Sequence, residues 1–433
     1  MVWAISSALA LLAIWALFNP FVGLIAVLAI IFVRPGELYP ILDTIHVQRT
    51  FTLIVLLSFL VHQRRLAVPN VSKALLFLWG AMFCTVPFAF WQGGAFEHSV
   101  DFGKVIMYHL LILNLATNAR RLRIVLITIC VLVAWLGVWS TFLYYAGDYQ
   151  VRMGIERAVG LNSFSDDPNA LGITLVTALP LFLLFLRKDA GRIRWVMMPL
   201  TAICLWTVVL TGSRTSYIVF AVMALAYASL QKYRVPAIFA VLTLIAVLWV
   251  SMPEQYRGRI ETVDNLQADG SYQGRVQVWG QAWEMFKSNP LTGIGVGEFV
   301  DVHGARTGHW LNVHSLYFQL LSEMGSLGFC AFVVFLISVI RQNFLIRRQS
   351  RLIPQCPSWF QNYPRACNLA LLGLLVAGYS SHSLGRDTWY LLAGLTAAAG
   401  LVAKAEMQSE KLPNEVESSV KHKGSAELSE VRV

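Results

Sequence analysis

His314 opens a long apolar run in Asn312-Val313-His314-Ser315-Leu316-Tyr317, where a polar stretch meets what reads as a helix. Imidazole can take up a proton near neutral pH, so a histidine at such a boundary is a candidate general base. Taken alone, it is more often a hydrogen-bonded packing residue. Arg214 stands in Thr211-Gly212-Ser213-Arg214-Thr215, a turn between two apolar runs too short to carry a guanidinium far into water. A cation held against lipid calls for an anionic partner, and the guanidinium fork can grip two phosphate oxygens at once. Snorkelling to lipid headgroups is the plainer alternative. Arg275 follows Gly274 and opens an amphipathic stretch; it reads either as a second anion ligand or as an ordinary helix-flanking cation. Arg152 and Arg157 add two positives in a loop ending in Asp166-Asp167-Pro168-Asn169, a helix start with a capping carboxylate. His303 and His309 are reserve bases, in glycine-flanked surroundings.

Helices in a membrane must position these residues. The chain has 433 residues, of which 57% are hydrophobic and 13% charged, against about 25% charged in ordinary soluble domains. Apolar runs recur near 2–18, 21–33, 50–61, 74–91, 102–117, 124–146, 170–186, 195–211, 215–230, 235–251, 313–340, 367–384 and 388–402. Nothing alternates as barrel strands do, so the fold class expected is an all-α integral membrane protein with about twelve transmembrane helices, or thirteen, since the short first or last pair of runs reads either as two spans or as one broken unit. The first run reads as a span rather than a removable signal peptide, lacking a basic n-region and a small-residue cleavage site.

Most of the 34 basic residues cluster in short loops and in the tail, and those loops are placed in the cytoplasm. The long polar stretch, residues 252–312 between the tenth and eleventh long apolar spans, then lies outside. It carries Arg257, Arg259, Arg275, Arg306, His303 and His309, with His314 at its end. The chain divides into a helix bundle over residues 1–251, this loop over 252–312, C-terminal spans over 313–403, and a polar tail over 404–433 expected to be disordered and cytoplasmic. Within the loop, Val276, Trp279, Trp283 and Phe286 recur at helical spacing, as in a helix lying at a water–lipid boundary or packing on the bundle. Gly293, Gly295 and Gly297 after Asn289-Pro290 suggest a flexible turn. The net charge of +10 follows topology and gives no platform for nucleic acid. The six cysteines fall in spans or in the loop placed inside, so no disulfide framework is implied, and no metal-ligand or paired-carboxylate spacing stands in the outer loops. No metal and no cofactor are expected.

Thr211–Arg214, Gly274-Arg275 with Trp279, Asn289-Pro290 leading to Gly293–Gly297, and His314–Tyr317 leading to Glu323-Met324-Gly325 and Gly328 together resemble the O-antigen ligase family. That family belongs to a superfamily that includes O-antigen polymerases and protein O-oligosaccharyltransferases. The resemblance covers about residues 152–328, with Ser315 standing where the family has an Asn after the His. It implies a GT-C-like fold in the bacterial inner membrane, with the large loop periplasmic. It also implies transfer of a glycan from undecaprenyl diphosphate to lipid A–core, by inversion and without metal. His314 would be the base, and Arg214 and Arg275 would bind the diphosphate, with Arg152 and Arg157 as helpers. A polymerase or a protein ligase shares the donor side and differs in acceptor. A lipid-linked glycan transporter is the non-enzymatic alternative; it requires charges near mid-span, for which Lys104 and His109 are the nearest candidates.

Overall fold

The computed structural model describes residues 2–39, 42, 46–62, 66–152, 154–160, 167–251, 254, 256 and 270–430 (for 2–6, 37, 38, 152, 251, 270–272 and 409–430 the backbone alone). Arg257, Arg259 and Asp166 lie outside them. The chain is built of helices: α1 Val2–Phe18, α2 Pro20–Val33, α3 Val47–His62, α4 Asn70–Thr85, α5 Gln92–Leu115 and α6 Ala119–Tyr145. After a short hairpin of β1 Gln150–Arg152 and β2 Ile155–Arg157 come α7 Pro168–Leu183, α8 Ile193–Leu210, α9 Arg214–Ser229 and α10 Arg234–Ser251. Beyond them lie α11 Gly270–Ser288, α12 Phe299–Thr307, α13 Leu316–Ser350, α14 Ser358–Gly378 and α15 Asp387–Glu430. Among the described residues, five helices are long and apolar enough to cross a membrane, and six shorter ones are apolar as well. Among the described residues the hairpin is the one departure from an all-α chain. The backbone of α15 continues through the polar tail expected to be disordered, whose first residues, Lys404–Glu410, are mostly strong helix formers.

Local chemistry starts the helices near the polar end. Asp167 accepts from the Asn169 N–H ahead of Pro168, and Ser213 accepts from the Ser216 N–H, each satisfying an orphan donor of a first turn. Helix α13 is the hub, packing against α4, α11, α14 and α15, while α14 leans on α7 and α9.

Helix α13 breaks at Gly325, where φ is 62° and ψ −160°. The break frees carbonyls, and the glycine segment of the long loop takes them up. Ile294 N–H donates to Ser322 O at 2.9 Å and Gly295 N–H to Glu323 O at 3.0 Å. In return, Ser326 N–H reaches Pro290 O at 2.8 Å. A Cβ at Gly293 would lie 2.4 Å from the Glu323 backbone, and one at Gly325 2.4 Å from Leu291 O. The glycines expected to loosen this turn instead let two backbones touch and pair.

Candidate functional site

The turn between α8 and α9 is held from behind by a buried arginine. Arg157 donates from Nε to Thr211 O at 2.7 Å and from Nη2 to Asn169 Oδ1 at 3.0 Å. The same Asn169 oxygen accepts from Ser213 Oγ at 2.9 Å, and Asn169 Nδ2 donates to Asp167 at 3.0 Å. Gly212 takes φ 55°, and a Cβ there would sit 3.0 Å from the Tyr256 ring. Tyr256 itself is fully buried, its hydroxyl donating to Glu156 O at 2.6 Å. Arg214 is thereby delivered, half-buried, as the first residue of α9.

The loop between α14 and α15 closes over this turn. Ser380 Oγ meets Thr215 Oγ1 at 2.7 Å, and Leu384 N–H donates to Gln319 Oε1 at 3.2 Å. Arg386 donates from Nη1 to Thr174 Oγ1 at 3.0 Å and to Ala170 O at 3.3 Å. The loop carries His382, whose ring centroid is 5.6 Å from that of His314 in an edge-on arrangement. His314 has φ 46°, a left-handed conformation that costs a residue with a Cβ on the order of 1–2 kcal/mol. Such strain persists where the surroundings dictate it, and here Val313 and Ser315 on either side are both buried. His382 reaches solvent, but the protein around it and then the Arg386 charge lower its pKa, against Asp167, which raises it. Burial likewise draws Arg386 down to about 10, well above physiological pH, so it stays cationic.

Helix α11 joins the site through Trp279. Its Nε1–H donates to Val313 O at 2.9 Å, and its ring stacks on Phe318 at 5.6 Å and meets Tyr379 edge-on at 5.2 Å. Arg275 lies one turn before Trp279 on the same helix and is half-buried. Val278, Ala282 and Met285 are the buried face of α11, while Val276 and Trp283 stay exposed. The helix therefore packs on the bundle and keeps a second apolar stripe outward.

These contacts bring Arg157, Arg214 and His314 close to the α14–α15 loop, and Trp279 sets α11, which carries Arg275, against Val313 beside His314. Arg152 pairs through its backbone with Ile155; its side chain is not described. His303 is not part of this set: it is buried, its Nδ1 2.5 Å from His309 O, and His309 is exposed. Among the described residues no group of three or more His, Cys, Asp or Glu is placed to hold a metal.

Sequence reasoning missed His382 and Arg386. Ser380-Ser381-His382-Ser383-Leu384 fell inside the end of the apolar run 367–384, and Arg386 stands in the short gap before the next run. A short polar turn carrying a cation between two spans is the signal that singled out Arg214, and it is present here too.

The fold and the site define a multi-pass α-helical membrane protein with a histidine pair and a set of arginines gathered at one end of its bundle. Residues 199–333 match the family model described as O-antigen ligase, the family that the motifs resemble. The matched segment runs from α8 past the break in α13 and includes Arg214, Arg275 and His314. No curated protein matches the chain.

Proposed function

We propose that this chain transfers a glycan from undecaprenyl diphosphate to a sugar hydroxyl of lipid A–core at the periplasmic face of the inner membrane. The observation that carries the reading is the pairing of His314 with His382, on a loop that bonds Thr215 beside Arg214, with His314 and Arg214 both inside the segment that matches the family. In the proposed reaction the acceptor hydroxyl oxygen attacks the anomeric carbon and the bond from that carbon to the diphosphate oxygen breaks. The anomeric configuration inverts, and undecaprenyl diphosphate leaves with the bonding electron pair. His314 takes the hydroxyl proton. Arg214 and Arg275 bind the diphosphate and stabilise the charge that grows on it, which is the role a divalent cation plays elsewhere. Arg157 adds its charge from behind the Thr211–Arg214 turn, and Arg152 supports it from β1.

His382 is the positioning residue. Ser315 offers no side-chain hydrogen bond at the start of α13, so the neighbouring imidazole takes over the task of fixing the His314 ring.

The test uses the purified full chain in lipid nanodiscs with undecaprenyl diphosphate–linked glycan, lipid A–core and EDTA. Glycan on lipid A–core is the expected product, and its loss in His314→Ala, with donor still bound, supports the base. Donor that stays intact and competent beside an unmodified acceptor overturns the ligase reading. Product on a second lipid-linked repeat replaces it with a polymerase.

A further inference from the structure

A cationic cavity beside α2, α3 and α5 has no part in the reaction as drawn. It measures about 240 Å³ and is lined by Arg34, His46, Gln48, Arg49 and Lys104 among others. That is below the ~300–1,000 Å³ of pockets that take a drug-sized ligand, and suits a compact charged group rather than a whole lipid. Three elements build it: Arg34 caps α2, His46 and Arg49 flank the start of α3, and Lys104 comes from α5. Lys104 Nζ lies 2.7 Å and Arg49 Nη2 3.8 Å from the same Asp101 oxygen, which fixes both cations at the rim. Gln48 is held by its bond to the Tyr108 hydroxyl at 2.5 Å. Arg34 and His46 both have φ 45°, and left-handed residues other than glycine gather where a site dictates their shape.

A single carboxylate joins this cavity to the histidine site. Asp387 interacts electrostatically with Arg34 and Lys104 on one side and with Arg386 on the other. Arg386 in turn bonds Thr174 and feels Asp167, the residue that begins the helix holding Asn169. Among the described residues, three cations stand with Asp101 and Asp387 around this cavity. Asp387 also shields this set from the cations around His314.

We propose that the cavity holds a phosphate group of the acceptor glycolipid and so delivers its sugar toward His314. The inference rests on the transfer reading above. Two lipid-borne anions that must meet need separate cationic sockets, because one socket cannot hold both at once. Placing the sockets on either side of Asp387 turns an encounter between two membrane lipids into a positioned reaction.

The experiment has a binding arm and a kinetic arm, both on the full chain in phosphatidylcholine nanodiscs. Native mass spectrometry follows binding of lipid A–core with and without its phosphates, no donor being present. Lys104→Gln and Arg49→Gln, made singly, should each weaken the phosphorylated form by about tenfold, as loss of a charge-assisted contact does. Lys104→Arg should restore it, which separates charge from misfolding. Equal binding of both forms to the wild-type protein overturns the proposal, as does displacement by phosphatidylglycerol, which would make the cavity a bulk-lipid site. In transfer assays the same Gln variants should raise the acceptor KM and leave the donor KM alone. Transfer with an unchanged acceptor KM overturns the cavity proposal and spares the ligase reading. Phosphate-dependent binding that the variants lose, with no transfer under any condition, upholds the cavity and overturns the ligase reading.

Discussion

Two histidines on either side of Trp310 occupy opposite kinds of environment. His303 is buried in α12 with Nδ1 against the His309 carbonyl and Thr307 beside it, so its ring is tied into its own loop. His314 is half-buried, sits on a left-handed backbone and faces a second imidazole across 5.6 Å, beside a loop anchored to α9 and α13. The same residue type is spent on packing in one region and kept available in the other. Burial alone does not separate the two; the left-handed backbone and the neighbouring imidazole do, and they are what the proposed role of His314 rests on.

The sharpest way to break this comparison is to truncate each histidine. His314→Ala should lower transfer by about 10²–10⁴-fold, the range for loss of a positioned general base, with donor binding retained. His303→Ala should stay within about threefold, because a packing residue acts only through stability, lost by degrees. Single-turnover transfer with protein level and donor binding checked decides it. Equal loss in both would erase the distinction.

Next in size is Arg214. Removing a group that stabilises developing charge lowers the rate about 10²–10³-fold, and Arg214→Ala should fall in that range. Arg214→Lys should recover only part of it, since an ammonium is a point charge without the two-pronged geometry. A lysine variant as active as wild type would show that Arg214 supplies charge without orientation.

The predicted helices were legible in the sequence because hydrophobic length is a strong signal, and α1 through α10 fall within a few residues of the apolar runs except α5, which begins ten residues before its run, at Gln92. His314 and Arg214 were legible because each stands at an abrupt change from polar to apolar sequence. Three things were not. His382 became a partner of His314 through the α14–α15 loop, a contact between residues 68 positions apart in sequence that no local pattern encodes. Arg157 turned out to be the brace of the Thr211–Arg214 turn, a role decided by where β2 docks. Gly293 and Gly295 looked like punctuation, and their purpose emerged only once Gly325 had broken α13 against them.

A smaller effect probes the histidine pair itself. His382→Gln should reduce transfer about tenfold, within the 0.5–3 kcal/mol over which neighbouring residues couple. Its clearer signature is in the pH profile. As pH falls, His382 takes up a proton at a value held low by the surrounding protein and by Arg386, and its charge then disfavours a proton on His314. Removing that repulsion lets His314 hold its proton to higher pH. The acid limb of the rate profile should therefore move up in the variant, the two rings titrating as a coupled pair. An unmoved limb with a reduced rate would make His382 a packing residue, as His303 is.

The smallest effect concerns the region around His303, and it is one of stability alone. Glu298 lies just before α12, fully buried, and burial, followed by the nearby Asp301, pushes its pKa up to about 7, against the Trp91 N–H, which lowers it. An acid whose pKa is higher folded than unfolded favours the folded state while protonated. That contribution is complete below the unfolded value of about 4.5 and is lost as pH rises through about 7. The glycine segment beside it is pinned by the Ile294 and Gly295 amides, which donate to the broken turn of α13. Hydrogen exchange at those two amides, corrected for intrinsic rates, should accelerate between pH 5 and pH 8. Glu298→Gln keeps the shape, carries no titrating proton and should flatten that slope, leaving the His314 rate profile where it was. If the slope survives the substitution, another group holds the clamp. If the rate profile moves with it, the two histidine regions are coupled, and the division between packing and chemistry drawn above gives way to a single titrating unit.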